Sequence, residues 1–141
     1  LFPYTTLFRS PLVAGAVNTL VTPHLGASTE ESEDNCAVMA AKEVRDFLEN
    51  GNIKNSVNFP SCDMGSCVAA GRITIAHKNI VNMIGQFTTT LAEEGVNISD
   101  MTNKSKGDYA YSMFDLDSPA SEHLVRALEA IDGVSKVRIV K

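Results

Sequence analysis

The sequence predicts an α+β fold, with two helices on one face of a four-stranded antiparallel sheet in the order β-α-β-β-α-β over residues 72 to 141. Three observations carry this. RITIAHK and SKVRIVK alternate with the period of a strand. NMIGQFTTTLAEEG and ASEHLVRALEAIDG place apolar residues at helical spacing and stop at Gly95 and Gly133. Turn residues such as KGD separate the runs.

The chain opens with LFPYTTLFRS, which fits the codons CTC TTT CCC TAC ACG ACG CTC TTC CGA TCT and resembles a short-read sequencing adapter. Residues 1 to 10 are therefore expected to be a library artefact and Leu1 a cut, since the stretch also lacks the basic start and long apolar run of a signal peptide. From Ser28 a helix is expected to about Asn50. Ser28 and Glu31 match an S-x-x-E capping box, Glu30, Glu31, Glu33 and Asp34 suit the positive helix end, and Gly51 supplies the stop. Val38, Ala41, Val44, Phe47 and Leu48 form an apolar stripe that Cys36, Ala37, Met39 and Ala40 widen. Cys36 reads as a small buried apolar residue.

NSVNFP follows as a short strand or extended segment, and SCDMGSCVAAG, with its small residues, reads as a linker over residues 61 to 71. In the last unit, Ile73 and Ile75 share one face of the first strand, VNISDMTNKS and YAYSMFDLD make the middle strands, and Leu124, Leu128 and Ile131 line the second helix. The order is ferredoxin-like, and one face of the sheet is expected to stay open or to meet a partner.

Composition excludes several classes. At 44% hydrophobic and 21% charged the chain is of globular type, without an apolar run long enough to span a bilayer. Its net charge of −5 is concentrated before residue 72, and neither half forms a nucleic-acid surface. Three cysteines without a secretion signal point to reduced thiols in the cytoplasm. Cys62, Cys67 and His77 lack a second ligand pair at zinc spacing, so no metal is expected. His123 reads as solvent-facing.

VTPHLGASTEE places His24 after Pro23 and just before the capped helix. An imidazole there is suited to proton exchange near neutral pH, and Gly26 allows close approach of a ligand, although a lone loop histidine is more often structural. TPHLGAST, the long helix, N-G-x-I and SVNFP together resemble the end of the catalytic region of the D-3-phosphoglycerate dehydrogenase family over about residues 17 to 141. The resemblance implies that residues 11 to 60 are a remnant of a Rossmann-type α/β dehydrogenase. It further implies that NAD takes a hydride from 3-phosphoglycerate, that His24 accepts the hydroxyl proton, and that His24, Leu25, Gly26 and Ala27 lie beside the nicotinamide. The glycine-rich turn, the substrate-binding arginine and the acid that orients the histidine are expected upstream. This stretch alone would then be inactive, and residues 11 to 60, short of packing partners, would be loosely held.

Residues 72 to 141 resemble the ACT domain, a regulatory module that binds small molecules. AHKNIVNMIGQ and GVNISDMTNKSKGDYAYSMFDLD are similar to the tails of bacterial dehydrogenases that answer to L-serine. The resemblance implies that His77, Asn79 and Asn97 contact serine, whose charged and hydroxyl groups need both donors and acceptors. Val81 and Asn82 stand where many ACT domains have Pro-Gly, so Asn82 offers an amide in place of close backbone approach. Such domains pair side by side with ligand sites at the seam, which implies self-association. Asn79 and Asn82 also read as caps, and Asn97 as a turn residue. A free-standing amino-acid-binding regulatory protein, and the tail of another 2-hydroxy-acid dehydrogenase, are the alternative readings.

Overall fold

The computed structural model describes residues 17–18 and 28–141. Residues 1 to 10, expected as adapter, and His24, Leu25, Gly26 and Ala27 lie outside the described residues.

Helix α1 spans Glu30–Asn50, with Glu30, Glu31 and Glu33 in its first turn complementing the macrodipole. Its cap differs from the expected box. The Thr29 hydroxyl, not Ser28, accepts from the Ser32 N–H at 3.2 Å. The same hydroxyl donates to Ser32 Oγ at 2.8 Å, a pairing of two side chains in place of the side-chain-to-backbone contact expected of Glu31. At the other end Gly51 has φ 79°, a left-handed conformation that glycine adopts without strain. Its N–H donates to the Phe47 carbonyl at 3.0 Å.

No residue of α1 is buried, and Val38, Met39, Val44 and Leu48 are each more than half exposed. Cys36, expected to be buried, is exposed. The small residues around it are apolar on several sides of the helix, so the pattern gave Cys36 no direction.

Ala41–Lys141 form one compact unit. Its elements are β1 (Gly71–Lys78), α2 (Met83–Glu93), β2 (Ile98–Lys106), β3 (Tyr109–Leu116), α3 (Glu122–Glu129) and β4 (Val134–Ile139). The sheet order is β2-β3-β1-β4 with every neighbouring pair antiparallel, which is the ferredoxin-like arrangement the sequence predicts.

Register divides the side chains between two faces. Ile73 pairs with Phe114 and Ile75 with Ser112, so the odd positions of β1 share a face with the even positions of β3. On that face lie α2, through Met83, Phe87 and Leu91, and α3, through Leu124 and Leu128. The i, i+4 spacing of these residues presents one stripe from each helix to the sheet. Burying each such side chain contributes about 1.5–3 kcal/mol. Ser121 caps α3 by accepting from the Leu124 N–H at 3.1 Å.

The opposite face, expected to stay open or to meet a partner, is covered in part by the protein's own chain. Tyr111 and Met113 of β3 pack there with Cys62, and Phe47, Ile53, Phe59 and Met64 lie against them. The cause is visible in β3, where Ala110 through Leu116 are all buried, as befits a strand covered on both sides. The covering segment, residues 51 to 65, is called the strap below. NSVNFP, expected as a short strand or extended segment, forms a series of bends in it and no strand. The only strand-like pairing among these residues is a bridge in which Ile53 and Cys62 exchange backbone hydrogen bonds at 2.8 and 3.0 Å. Tyr111 Oη donates to the Gly51 carbonyl at 2.9 Å. The Arg138 guanidinium donates to the Phe47 carbonyl at 2.7 Å and to that of Leu48.

Candidate functional site

The end of β1 and the loop after it carry the first candidates. His77 continues the face of Ile73 and Ile75, which turns its imidazole inward, and only 2% of the residue is exposed. Its ring meets the Phe87 ring edge-on at 5.0 Å between centroids. Nδ1 lies 2.8 Å from the Lys78 carbonyl and Nε2 lies 2.9 Å from Ser112 Oγ. Ser112 Oγ is in turn 2.9 Å from Asn103 Oδ1 on β2. The three side chains share a face because β3 pairs Ser112 with Ile75 on one side and with Asn103 on the other.

This chain of bonds constrains the histidine. A carbonyl only accepts, so Nδ1 carries a proton towards Lys78. In the neutral ring Nε2 then accepts the Ser112 hydroxyl, and the Asn103 amide must present its nitrogen to Oγ. In the imidazolium Nε2 donates, and the hydroxyl turns to Asn103 Oδ1. The His77 ring and an exposed amide on β2 are thus joined through one hydroxyl.

Asn79 follows in the loop, exposed, and its side-chain amide donates to the Gly107 carbonyl at 3.1 Å. Its backbone N–H donates to the Asp108 carbonyl at 2.8 Å, so the β2–β3 turn and the β1–α2 loop are fastened together. The turn depends on Gly107, at φ 59°. Asn82 heads α2 at φ 66° without a side-chain capping bond, leaving its amide outside the cap role.

Asn97 sits elsewhere. It is exposed just before β2, with its N–H donating to Asp117 Oδ1 at 3.3 Å and its carbonyl accepting from the Asp117 N–H at 3.1 Å. His77 pairs with Ala110 of β3, whereas Ile98, next to Asn97, pairs with Leu116 at the far end of that strand. At ~3.4 Å per residue the two ends are about 20 Å apart. One chain therefore brings His77 and Asn79 together and holds Asn97 away from them. Ser112 and Asn103, which sequence reasoning did not single out, join the first group. The one available signal was a polar residue, Ser112, inside the apolar run YAYSMF.

No group of His, Cys, Asp and Glu among the described residues is arranged to hold a metal ion. Burial pushes the Cys62 thiol above its ordinary pKa, and the Tyr111 phenol is raised for the same reason. His123 lies on the surface as expected, 2.9 Å from the Glu94 carboxylate. Among the described residues no helix is long and apolar enough to cross a membrane.

No family model matches the chain. It is 29% identical over 135 residues to D-3-phosphoglycerate dehydrogenase of Escherichia coli K12, covering 94% of this chain and 32% of that protein. It is 27% identical over 123 residues to the D-3-phosphoglycerate dehydrogenase of Dictyostelium discoideum, covering 87% and 30%. With a putative D-3-phosphoglycerate dehydrogenase of Schizosaccharomyces pombe it shares 30% identity over 121 residues, covering 81% and 26%. Among solved structures, the ACT domain from the GTP pyrophosphokinase of Chlorobium tepidum aligns with a TM-score of 0.44 at 18% identity, covering 49% of this chain and 94% of that one. The chain spans about a third or less of the length of the curated relatives it matches. In sequence it is a relative of the C-terminal part of D-3-phosphoglycerate dehydrogenases.

Proposed function

We propose that this chain is the regulatory C-terminal part of an NAD-dependent D-3-phosphoglycerate dehydrogenase of serine biosynthesis, working in the cytoplasm. In this reading residues 11 to 60 close the catalytic region, residues 61 to 71 connect, and residues 72 to 141 are an ACT domain whose effector is L-serine. The similarity to dehydrogenases across most of the chain supports the parent enzyme. In the intact enzyme His24 would accept the hydroxyl proton of 3-phosphoglycerate. NAD supplies acceptance of the hydride, and the residues proposed to stand beside it, His24, Leu25, Gly26 and Ala27, lie outside the described structure.

The observation that carries the effector reading is the separation of Asn97 from His77 and Asn79. Strand β2 is an edge of the sheet, with a free row of backbone donors and acceptors. Two copies joined antiparallel through β2 would set Ile98 of one beside Lys106 of the other. Asn97 would then approach the Gly107–Asp108 turn of the second copy and the Asn79 fastened to it. A two-fold pair makes two such sites, each with groups from both chains. The Asn79 and Asn97 amides offer donors and acceptors to the ammonium, carboxylate and hydroxyl of serine, and the His77 ring lies at the end of β1 just before Asn79. Serine could regulate only by preferring one arrangement of the paired chains, since equal affinity for two states shifts neither.

Calorimetric titration of the full chain with L-serine, glycine and L-alanine tests this, with sedimentation to follow association. The expected result is saturable binding of serine by a dimer, lost in Asn79→Ala and in Asn97→Ala. Absence of heat with every amino acid, in a folded dimeric sample, would overturn the effector reading.

A further inference from the structure

Between the strap and the second face of the sheet lies an apolar cavity of about 170 Å³. Ala76 and Tyr111 of the sheet line it on one side, and Phe47, Ile53 and Phe59 line it on the other. Thr74 of β1 and Lys136 and Arg138 of β4 complete the lining, and no carboxylate contributes to it. The Lys136 side chain is 72% exposed, so the cavity communicates with solvent beside that residue.

Two of the polar groups around this space, those of Tyr111 and Arg138, are already committed. Tyr111 Oη donates to the Gly51 carbonyl. Arg138 donates to the Phe47 and Leu48 carbonyls, and its guanidinium carbon lies 4.7 Å over the Phe47 ring. A water needs two to four polar partners, and an apolar cavity of roughly 150 Å³ in another protein stays dry and admits benzene. The present cavity is of similar size, with apolar walls inside and cationic side chains at its opening. Lys136 is held only by an exposed pair with Glu129 at 2.9 Å, and such pairs are worth little, so its ammonium is free to turn to another anion.

We propose that this cavity is a binding site for a small carboxylate with an aromatic or similarly compact apolar body. The ring fills the space among Phe47, Phe59, Ala76 and Tyr111, and the carboxylate meets Lys136 at the opening. Because the ligand touches the strap and the sheet at once, occupancy holds the two together and stabilises the folded chain in proportion to ligand concentration. The site is on the opposite face from His77 and Asn79, so it does not depend on the serine reading.

Phenylacetate, phenethylamine and acetate are the probes, followed in ¹H–¹⁵N spectra of the full chain. Phenylacetate is expected to shift the amides of Ala76 and Tyr111 saturably, phenethylamine to bind severalfold more weakly, and acetate to have no effect. Ala76→Leu fills the cavity and should abolish the shifts while the amides of α2 and α3 keep their native positions. L-serine should not compete. Failure of phenylacetate to saturate, or unchanged binding in a folded Ala76→Leu variant, would overturn the site. Phenethylamine binding as tightly as phenylacetate would overturn the assignment of a carboxylate.

Discussion

Arg72 and Asp115 form a two-point ion pair across β1 and β3, with Nε 2.5 Å from Oδ1 and Nη2 2.7 Å from Oδ2. The arginine side chain is 1% exposed and the aspartate side chain 10%. The remaining donors of the guanidinium reach the carbonyls of Asn50, Gly65 and Met64 at 3.0, 2.9 and 3.4 Å. The Asp115 carboxylate holds the Arg72 pKa above its ordinary value, so the charge is permanent. One side chain thus ties the end of α1 and the strap to the centre of the sheet. Removing one member strands a buried charge, so Asp115→Ala is expected to destabilise the chain by about 3–5 kcal/mol in urea unfolding. Replacing both with apolar residues, Arg72→Met with Asp115→Leu, should restore much of that loss. A single replacement without effect would show that the pair is not desolvated in solution.

Gly71 gives a second test, independent of charge. A β-carbon built there would stand 2.5 Å from the Ser118 carbonyl oxygen and 3.1 Å from the Ala120 nitrogen, both backbone atoms. Neither can rotate away. Gly71→Ala is expected to destabilise by about 1–3 kcal/mol, the range for overpacking, although alanine ordinarily favours the folded chain over glycine. A raised melting temperature would contradict this packing.

Acid should loosen the strap before it melts the helix face. Burial alone would raise the Asp46 pKa, but hydrogen bonds from Asn50, Lys54 and Asn52 outweigh it and leave it lowered. The Gly65 N–H and then Lys54 lower that of Asp63. Because both folded values lie below the ordinary 3.8, the unfolded chain takes up protons first as pH falls. The stability the two carboxylates contribute is complete well above 3.8 and disappears as pH drops through that value and past the folded pKa. Urea midpoints measured from neutrality down to pH ~3 should fall, and the fall should be shallower in Asp46→Asn with Asp63→Asn. An identical pH profile in the double variant would rule these groups out.

The His77 relay predicts a tautomer. With Nδ1 facing the Lys78 carbonyl, the neutral ring should carry its proton on Nδ1, which long-range ¹H–¹⁵N spectra read directly. Ser112→Ala removes the Nε2 partner and should destabilise by about 1–3 kcal/mol, the magnitude for a buried polar group left unpaired. A proton on Nε2 in the neutral wild-type ring would refute the relay.

The β-α-β-β-α-β order was readable because period-two and period-3.6 runs alternate cleanly from Gly71 onward and Gly95 and Gly133 punctuate them. The second covered face was not read, although Tyr111 and Met113 opposite Ser112 and Phe114 were its trace in β3. A strand apolar on both sides implies two layers, but nothing local identifies residues 47 to 64 as the second one. The relay was hidden for a related reason, since Asn103 meets Ser112 only through a register that is set by pairing. Thr29 displaced Ser28 as the cap because two neighbouring hydroxyls compete within one residue, below what pattern alone resolves. The separation of Asn97 from His77 likewise follows from strand direction, which residue spacing does not encode.

Strand β1 has the geometry of a shared spar. Its odd positions bear on the helices, its even positions bear on the strap, and Asn79, just beyond its end, fixes the β2–β3 turn. Ladders on both sides tie β1 into the sheet, and the β4 ladder shifts register between Ala76 and His77. The strap and the imidazole therefore bear on opposite faces of one strand, without any side chain having to pass through the sheet.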